Sequence, residues 1–189
     1  MISAIVLAAG LARRFGSAKP LAKHKGKALV RHVVDAVSVP EVSDVLVVAP
    51  APATGFADAL AGSRARVVIN EHSDAGMSRS LLAGLDALDA ATEAVIIALA
   101  DEPTIARSVV ESLVREWRTA KAEIVAPVYR GERGHPVLFN ASVFPELKLL
   151  AGDRGARAII ESDPGRVRLV PVDADMPKDV DTREDLAGL

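Results

Sequence analysis

The first nineteen residues limit the fold more than any other stretch. Ile2-Ser-Ala-Ile-Val-Leu-Ala-Ala9 is almost unbroken apolar sequence, β-branched near its start and halted by Gly10. It reads as a strand buried on both faces of a parallel sheet. The residues from Gly10 to Lys19 then form a loop suited to anions. Gly10 and Gly16 free the backbone to turn N–H groups inward, Ser17 adds a hydroxyl, and Arg13, Arg14 and Lys19 bring positive charge. Two phosphate motifs fail here on spacing. Five residues separate Gly10 from Gly16 and Ser17 stands where a Walker A loop has lysine, and Leu11 and Ala12 leave no second glycine for a dinucleotide fingerprint.

Beyond the loop, Leu29, Val30, Val33, Val34 and Val37 share one helical face, and Val45 to Ala49 reads as a second buried strand. A short helix from Phe56 and a strand at Val67 to Ile69 continue the alternation. A helix from Ser78, capped by that serine, leads to a strand at Ala94; a helix over 106–120 leads to a strand at Ile124 to Val128. Such a βαβ series implies a doubly wound, mainly parallel α/β sheet with helices on both faces and ligands at the carboxyl ends of its strands. At 189 residues, half of them hydrophobic and few aromatic, residues 1–189 make one domain with an aliphatic core.

A formal net charge of −2 gives no global field for nucleic acid or membrane, so any anion site is local. The absence of cysteine excludes thiolate nucleophiles and sulfur-bound metal. No apolar run reaches the roughly 18 residues of a membrane span, and the chain enters its first strand without a charged leader. A cytoplasmic protein is the expectation.

The strand at Ala94 ends in Leu99-Ala-Asp-Glu-Pro103. This places Asp101 at the same sheet edge as the glycine loop, where a hard oxygen ligand suits Mg2+, which takes one or two carboxylates plus substrate phosphates.

Leu7 to Lys19 matches L-A-A-G-x-x-x-R-F-G-x-x-K residue for residue and resembles the opening signature of the MobA-like nucleotidyltransferases. The Leu-Ala-Ala-Gly form is most similar to the molybdenum cofactor cytidylyltransferase branch. The resemblance extends in order to residue 186: Asn70 to Leu85 is similar to N-x-x-x-x-x-G-M-x-x-S-L-x-x-G-L, Leu99 to Pro103 to L-x-D-x-P, Gly134 to Leu138 to G-x-P-V-L, Gly152 to Arg157 to G-D-x-G-A-R, and Asp179 to Leu186 to D-I-D-T-x-E-D-L. It implies a nucleotide-diphospho-sugar transferase type of fold, GT-A-like, and nucleotidyl transfer from an NTP, CTP first and GTP next, to a phosphorylated acceptor such as molybdopterin.

On that resemblance Leu7, Ala8, Ala9, Gly10, Gly16, Lys19, Asn70, Gly76 and Ser80 contact the nucleotide. Arg14 holds the outer phosphates, Lys19 the charge at the α-phosphate, and Asp101 and Asp181 hold Mg2+; one only of Asp179 and Asp181 is expected to face the site. His135, Arg154 and Arg157 meet the acceptor, the arginines beside a helix entry that forms a second anion site. Two positions depart from the family pattern. Glu102 stands where relatives carry a smaller or uncharged residue, either pointing outward or adding charge, and His135 stands where they often have Asn. A molybdoenzyme or a second copy of the chain is the expected protein partner. Rival readings are an NAD(P)H-dependent reductase of a small heteroaromatic compound on the same fold and a non-catalytic nucleotide-binding protein.

Overall fold

A computed structural model describes residues 1–10, 15, 18–152 and 155–189. Its strands are β1 (Ile2–Leu7), β2 (Lys23–His24), β3 (Lys27–Ala28), β4 (Val42–Pro50), β5 (Arg66–Asn70), β6 (Ala94–Leu99), β7 (Ile124–Tyr129), β8 (Glu132–Arg133), β9 (Val137–Asn140) and β10 (Val167–Val172). Its helices are α1 (Leu29–Val37), α2 (Phe56–Ala59), α3 (Met77–Asp86), α4 (Arg107–Ala120), α5 (Phe144–Lys148), α6 (Arg157–Ser162) and α7 (Arg183–Ala187). The main sheet runs β10-β7-β9-β6-β1-β4-β5, with β8 paired to β7; β2 and β3 form a separate hairpin. β1 lies parallel to both β4 and β6, β4 to β5 and β7 to β10, whereas β9 runs antiparallel between β6 and β7. The sheet is mixed and mainly parallel.

Period-two alternation splits the core. Ala4, Val6, Val45, Val47, Ile96 and Ala98 turn to one face, under Val33 and Val37 of α1 and Leu113 and Trp117 of α4. Ile5, Leu46, Val48, Val95 and Ile97 turn to the other, under Leu81 and Leu85 of α3 and residues of α5 and α6. Because both faces are covered, the strands read as continuous apolar runs. At Gly84 α3 comes down close to the sheet: a Cβ there would stand 2.9 Å from Ile5 Cγ2 and 3.1 Å from Val48 Cγ2.

Helix starts differ from the sequence reading in one respect. Ser78 is buried inside α3 rather than capping it; Gly76 precedes the helix with φ +100°, and no side chain caps it. The tail helix carries a capping box: Thr182 Oγ1 accepts from the Asp185 N–H while Asp185 Oδ2 accepts from the Thr182 N–H. Among the described residues, no helix is long and apolar enough to cross a membrane.

Candidate active site

β1 and β6 are neighbours that finish level, Leu7 opposite Leu99, and the Ala100 N–H continues the ladder by donating to the Leu7 carbonyl at 3.0 Å. The glycine loop and Asp101 therefore leave the sheet side by side. Between them opens a cavity of about 450 Å³ lined by Leu7, Ala8, Ala9 and Gly10, by Lys19, and by Gly76, Met77 and Ser80 at the start of α3. A Cβ on Gly10 would meet nothing within 4 Å, so glycine there keeps the cavity floor clear. Asn70 stands behind this lining: its Nδ2 donates to Ser80 Oγ at 3.0 Å and its Oδ1 accepts from the His72 N–H. Asn70 orients Ser80 and is itself outside the cavity lining.

Lys19 is the charged centre. Its Nζ donates to Asp101 Oδ2 at 2.6 Å and to Asp181 Oδ1 at 3.1 Å. Burial disfavours the ammonium, yet the hydrogen bonds and attraction of the two carboxylates outweigh that and hold its pKa above the ordinary lysine value. Residues 82 and 162 positions away from Lys19 thus converge on one cation. Two hard oxygens directed at one point fit a divalent ion completed by substrate phosphates, and no group of three or more His, Cys, Asp or Glu among the described residues offers a full protein cage.

A second cavity, about 440 Å³, adjoins the first along Leu7, Met77 and Leu99. Its walls are apolar, Leu81, Ile97, Val137, Phe139 and Ile160, and its polar lining includes Glu102, His135, Asp179, Arg133 and Arg157. Glu102 does not point outward: it is buried, and its Oε1 bonds His135 Nδ1 at 2.9 Å. Burial raises the Glu102 pKa, with Asp179 and Asp101 adding to it against the pull of His135. Glu102 Oε2 is buried with no hydrogen-bond partner, and the nearby Asp179 carboxyl also has its pKa raised, by burial first and then by Asp101. For His135, burial opposes the charge, but Glu102 above all, then Asp179 and Asp101, raise its pKa. The Tyr129 hydroxyl donates to the His135 carbonyl at 2.6 Å, and Gly134 lies against the Tyr129 ring, where a Cβ would stand 2.9 Å from Cε2.

The structure therefore brings Leu7, Ala8, Ala9, Gly10, Lys19, Gly76, Ser80 and Asp101 to one cavity and His135 and Arg157 to the next. Arg14, Gly16 and Arg154 lie outside the described residues. The expected anion site at the helix entry includes residues 153 and 154, which lie outside the described residues; Arg157, in the lining of the second cavity, donates from Nε to Glu161 Oε1 at 2.6 Å. Of Asp179 and Asp181, one meets the Lys19 centre. Residues two apart on extended backbone share a side, and here Asp181 meets Lys19 while Asp179 lines the second cavity. Tyr129 carried no motif; that it is the chain's one tyrosine, at the end of a strand, was the available signal.

A family model described as MobA-like NTP transferase domain matches residues 4–168. The chain is 30% identical over 159 residues to a molybdenum cofactor guanylyltransferase of Shewanella putrefaciens, covering 81% of this chain and 77% of that one. Its structure is similar to that of Rv0371c from Mycobacterium tuberculosis H37Rv, with a TM-score of 0.85, 26% identity, and coverage of 99% and 95% of the two chains. It is likewise similar to a homologue of Rv0371c from Mycobacterium sp. strain JC1, with a TM-score of 0.82 and 32% identity over 99% of this chain and 96% of that one. Rv0371c has also been solved as a complex with manganese, and that structure matches with a TM-score of 0.82 and 27% identity over 100% and 97% of the two chains.

Proposed function

We propose, from the premise that the chain belongs to the MobA-like NTP transferase domain family, that this nucleotidyltransferase moves an NMP from an NTP to a phosphorylated acceptor such as molybdopterin. The acceptor's phosphate oxygen attacks the α-phosphorus, the bond from that phosphorus to the bridging oxygen breaks, and pyrophosphate leaves. The observation that carries this reading is the convergence of Asp101 and Asp181 on Lys19 at the first cavity, whose lining includes Lys19 and Asp101. In-line displacement needs placement and charge neutralisation rather than a protein nucleophile.

In this reading the first cavity takes the NTP, with Gly10, Gly76 and Ser80 against it and Arg14 and Gly16 on its outer phosphates. Lys19 transfers its ammonium from the carboxylates to the α-phosphate as charge grows there. Asp101 and Asp181 would hold Mg2+, which supplies a template and Lewis acid for the phosphates. The second cavity takes the acceptor, with His135, Arg154 and Arg157 on its polar groups. On the base, the Leu-Ala-Ala-Gly form of residues 7–10 favours CTP, and the name of the Shewanella relative favours GTP.

Calorimetry with CTP, GTP, ATP, UTP and NADPH, each with and without Mg2+, tests the reading and ranks the donors. Metal-dependent binding of one triphosphate supports it. Binding of NADPH alone, or Asp101→Asn that keeps wild-type pyrophosphate release, sinks it.

A further inference from the structure

Among the described residues the two cavities share three of their lining side chains, Leu7, Met77 and Leu99. Leu7 closes β1, Leu99 closes β6 beside it, and Met77 opens α3. All three are apolar, so the boundary between the cavity of Lys19 and its neighbour is an apolar seam.

The start of α3 shows how the seam arises. Residues four apart on a helix share a face, and here Gly76 and Ser80 line the first cavity while Leu81 lines the second. Met77 stands between these faces and lines both. Two glycines place it. Gly76, at φ +100°, turns the chain into the helix immediately before it. Gly155 leaves room for the sulfur, since a Cβ there would stand 2.9 Å from Met77 Sδ. The Ser78 N–H donates to the Gly152 carbonyl at 3.1 Å, which ties the same stretch of chain to α3 a second time. Met77 is nevertheless 40% exposed. It is held against the fold and still presents surface to both cavities.

We propose that Met77 is a specificity-determining residue of the transfer: with Leu7 and Leu99 it forms the seam across which the acceptor oxygen reaches the α-phosphorus, and it keeps water from that phosphorus. This rests on the first cavity holding the NTP and the second the acceptor. The two reactants sit in different cavities, so the new bond has to form across the boundary those cavities share. Acceptor and water compete for one phosphorus. When the acceptor oxygen attacks, its bond to the α-phosphorus forms and pyrophosphate leaves. When water attacks, NMP and pyrophosphate leave, one water proton passing to pyrophosphate and the other to solvent. A water molecule set against three apolar side chains leaves hydrogen bonds unmade, whereas an acceptor is held by its own cavity. Methionine suits this place because an unbranched thioether adapts to the shape of what it meets.

The test uses full-length chain labelled with 13C-methyl methionine, whose three methyl signals are assigned with Met77→Leu and Met176→Leu. The triphosphate that binds most tightly among CTP, GTP, ATP and UTP is titrated in with Mg2+ and without acceptor. The expected result is a shift of the Met77 methyl as nucleotide binds, with Met176, which lines the second cavity alone, left in place. NMP and pyrophosphate are then measured at saturating nucleotide, again without acceptor. Met77→Ser is expected to release both about tenfold faster than wild type. Met77→Leu, which keeps an apolar side chain of similar volume, gives a smaller rise. A residue that only supported the fold would lower this rate when replaced. Nucleotide that binds without moving the Met77 methyl overturns the proposal, as does hydrolysis in Met77→Ser at or below the wild-type rate. Failure of the wild type to bind any of the four triphosphates is a different result: it refutes the nucleotidyl-transfer reading, and the seam falls with it.

Discussion

Lys19→Met is the sharpest perturbation of the charged centre, because the ammonium stands where Asp101 and Asp181 converge. Methionine keeps an unbranched stem and removes the charge. Asp101 and Asp181 are 27% and 54% exposed but Lys19 only 12%, so the water end of the dielectric range sets a lower bound on the repulsion. An ammonium and a divalent ion held about 4 Å apart in water repel by about 2 kcal/mol. Removing that repulsion tightens metal binding to the nucleotide-free chain about 30-fold. Stability changes little, since a partly exposed ion pair contributes at most about 1 kcal/mol. The assay is electron paramagnetic resonance of free Mn2+ during titration of protein without nucleotide, paired with pyrophosphate release in the presence of NTP. Lys19→Met is expected to bind Mn2+ more tightly and to turn over far more slowly. Equal or weaker Mn2+ binding would refute the view that the lysine is the internal counter-ion of the two carboxylates, and undiminished turnover would refute its role at the α-phosphate.

Gly84→Ala gains about 1 kcal/mol of helix propensity but drives a Cβ into Ile5 and Val48, an overpacking cost of about 1–3 kcal/mol, so urea unfolding should show net destabilisation; a stabilised variant would mean that α3 rides higher than described. For His135 the folded pKa lies above the unfolded one, so its contribution to stability is fully present below about pH 6.5 and is lost as pH rises through the folded value. The stability gap between wild type and His135→Asn, read by denaturant unfolding, should therefore shrink as pH rises above about 6.5; a gap that widens with pH would contradict the Glu102 pairing.

The parallel sheet was legible because burial on both faces leaves long apolar runs, and Ile2 to Ala9 and Ala94 to Ala100 are such runs. The edge that carries Gly10 and Asp101 followed from the same pattern, since parallel neighbours end on one side. The antiparallel insertion of β9 between β6 and β7 did not follow, because four residues of Val-Leu-Phe-Asn carry no mark of direction. Ser78 misled because a serine before an apolar stripe usually caps; here Gly76, at φ +100°, turns the chain two residues earlier and Ser78 is drawn inward, its N–H donating to the Gly152 carbonyl at 3.1 Å. The Glu102–His135 contact was invisible because it joins two loops that only the folded sheet brings together.

Four acids at this edge sort into two pairs, one at each cavity. Asp101 and Glu102 are consecutive, so one reaches the first cavity and the other the second. The segment of Asp179 to Asp181 is tied to them where the Val180 N–H meets the Asp101 carbonyl, and Val180, fully buried against Phe15 and Leu29, anchors the crossing. Asp181 then joins Asp101 around Lys19, and Asp179 joins Glu102 beside His135. Each pair of acids thereby has its own basic partner, Lys19 for one and His135 for the other. The two centres share backbone but not counter-ions, and negative charge on one side raises the pKa of groups on the other, as Asp101 does for Glu102, Asp179 and His135. In the proposed reading the triphosphate therefore meets Lys19 in the first cavity and the acceptor meets His135 in the second, each base backed by its own pair of acids.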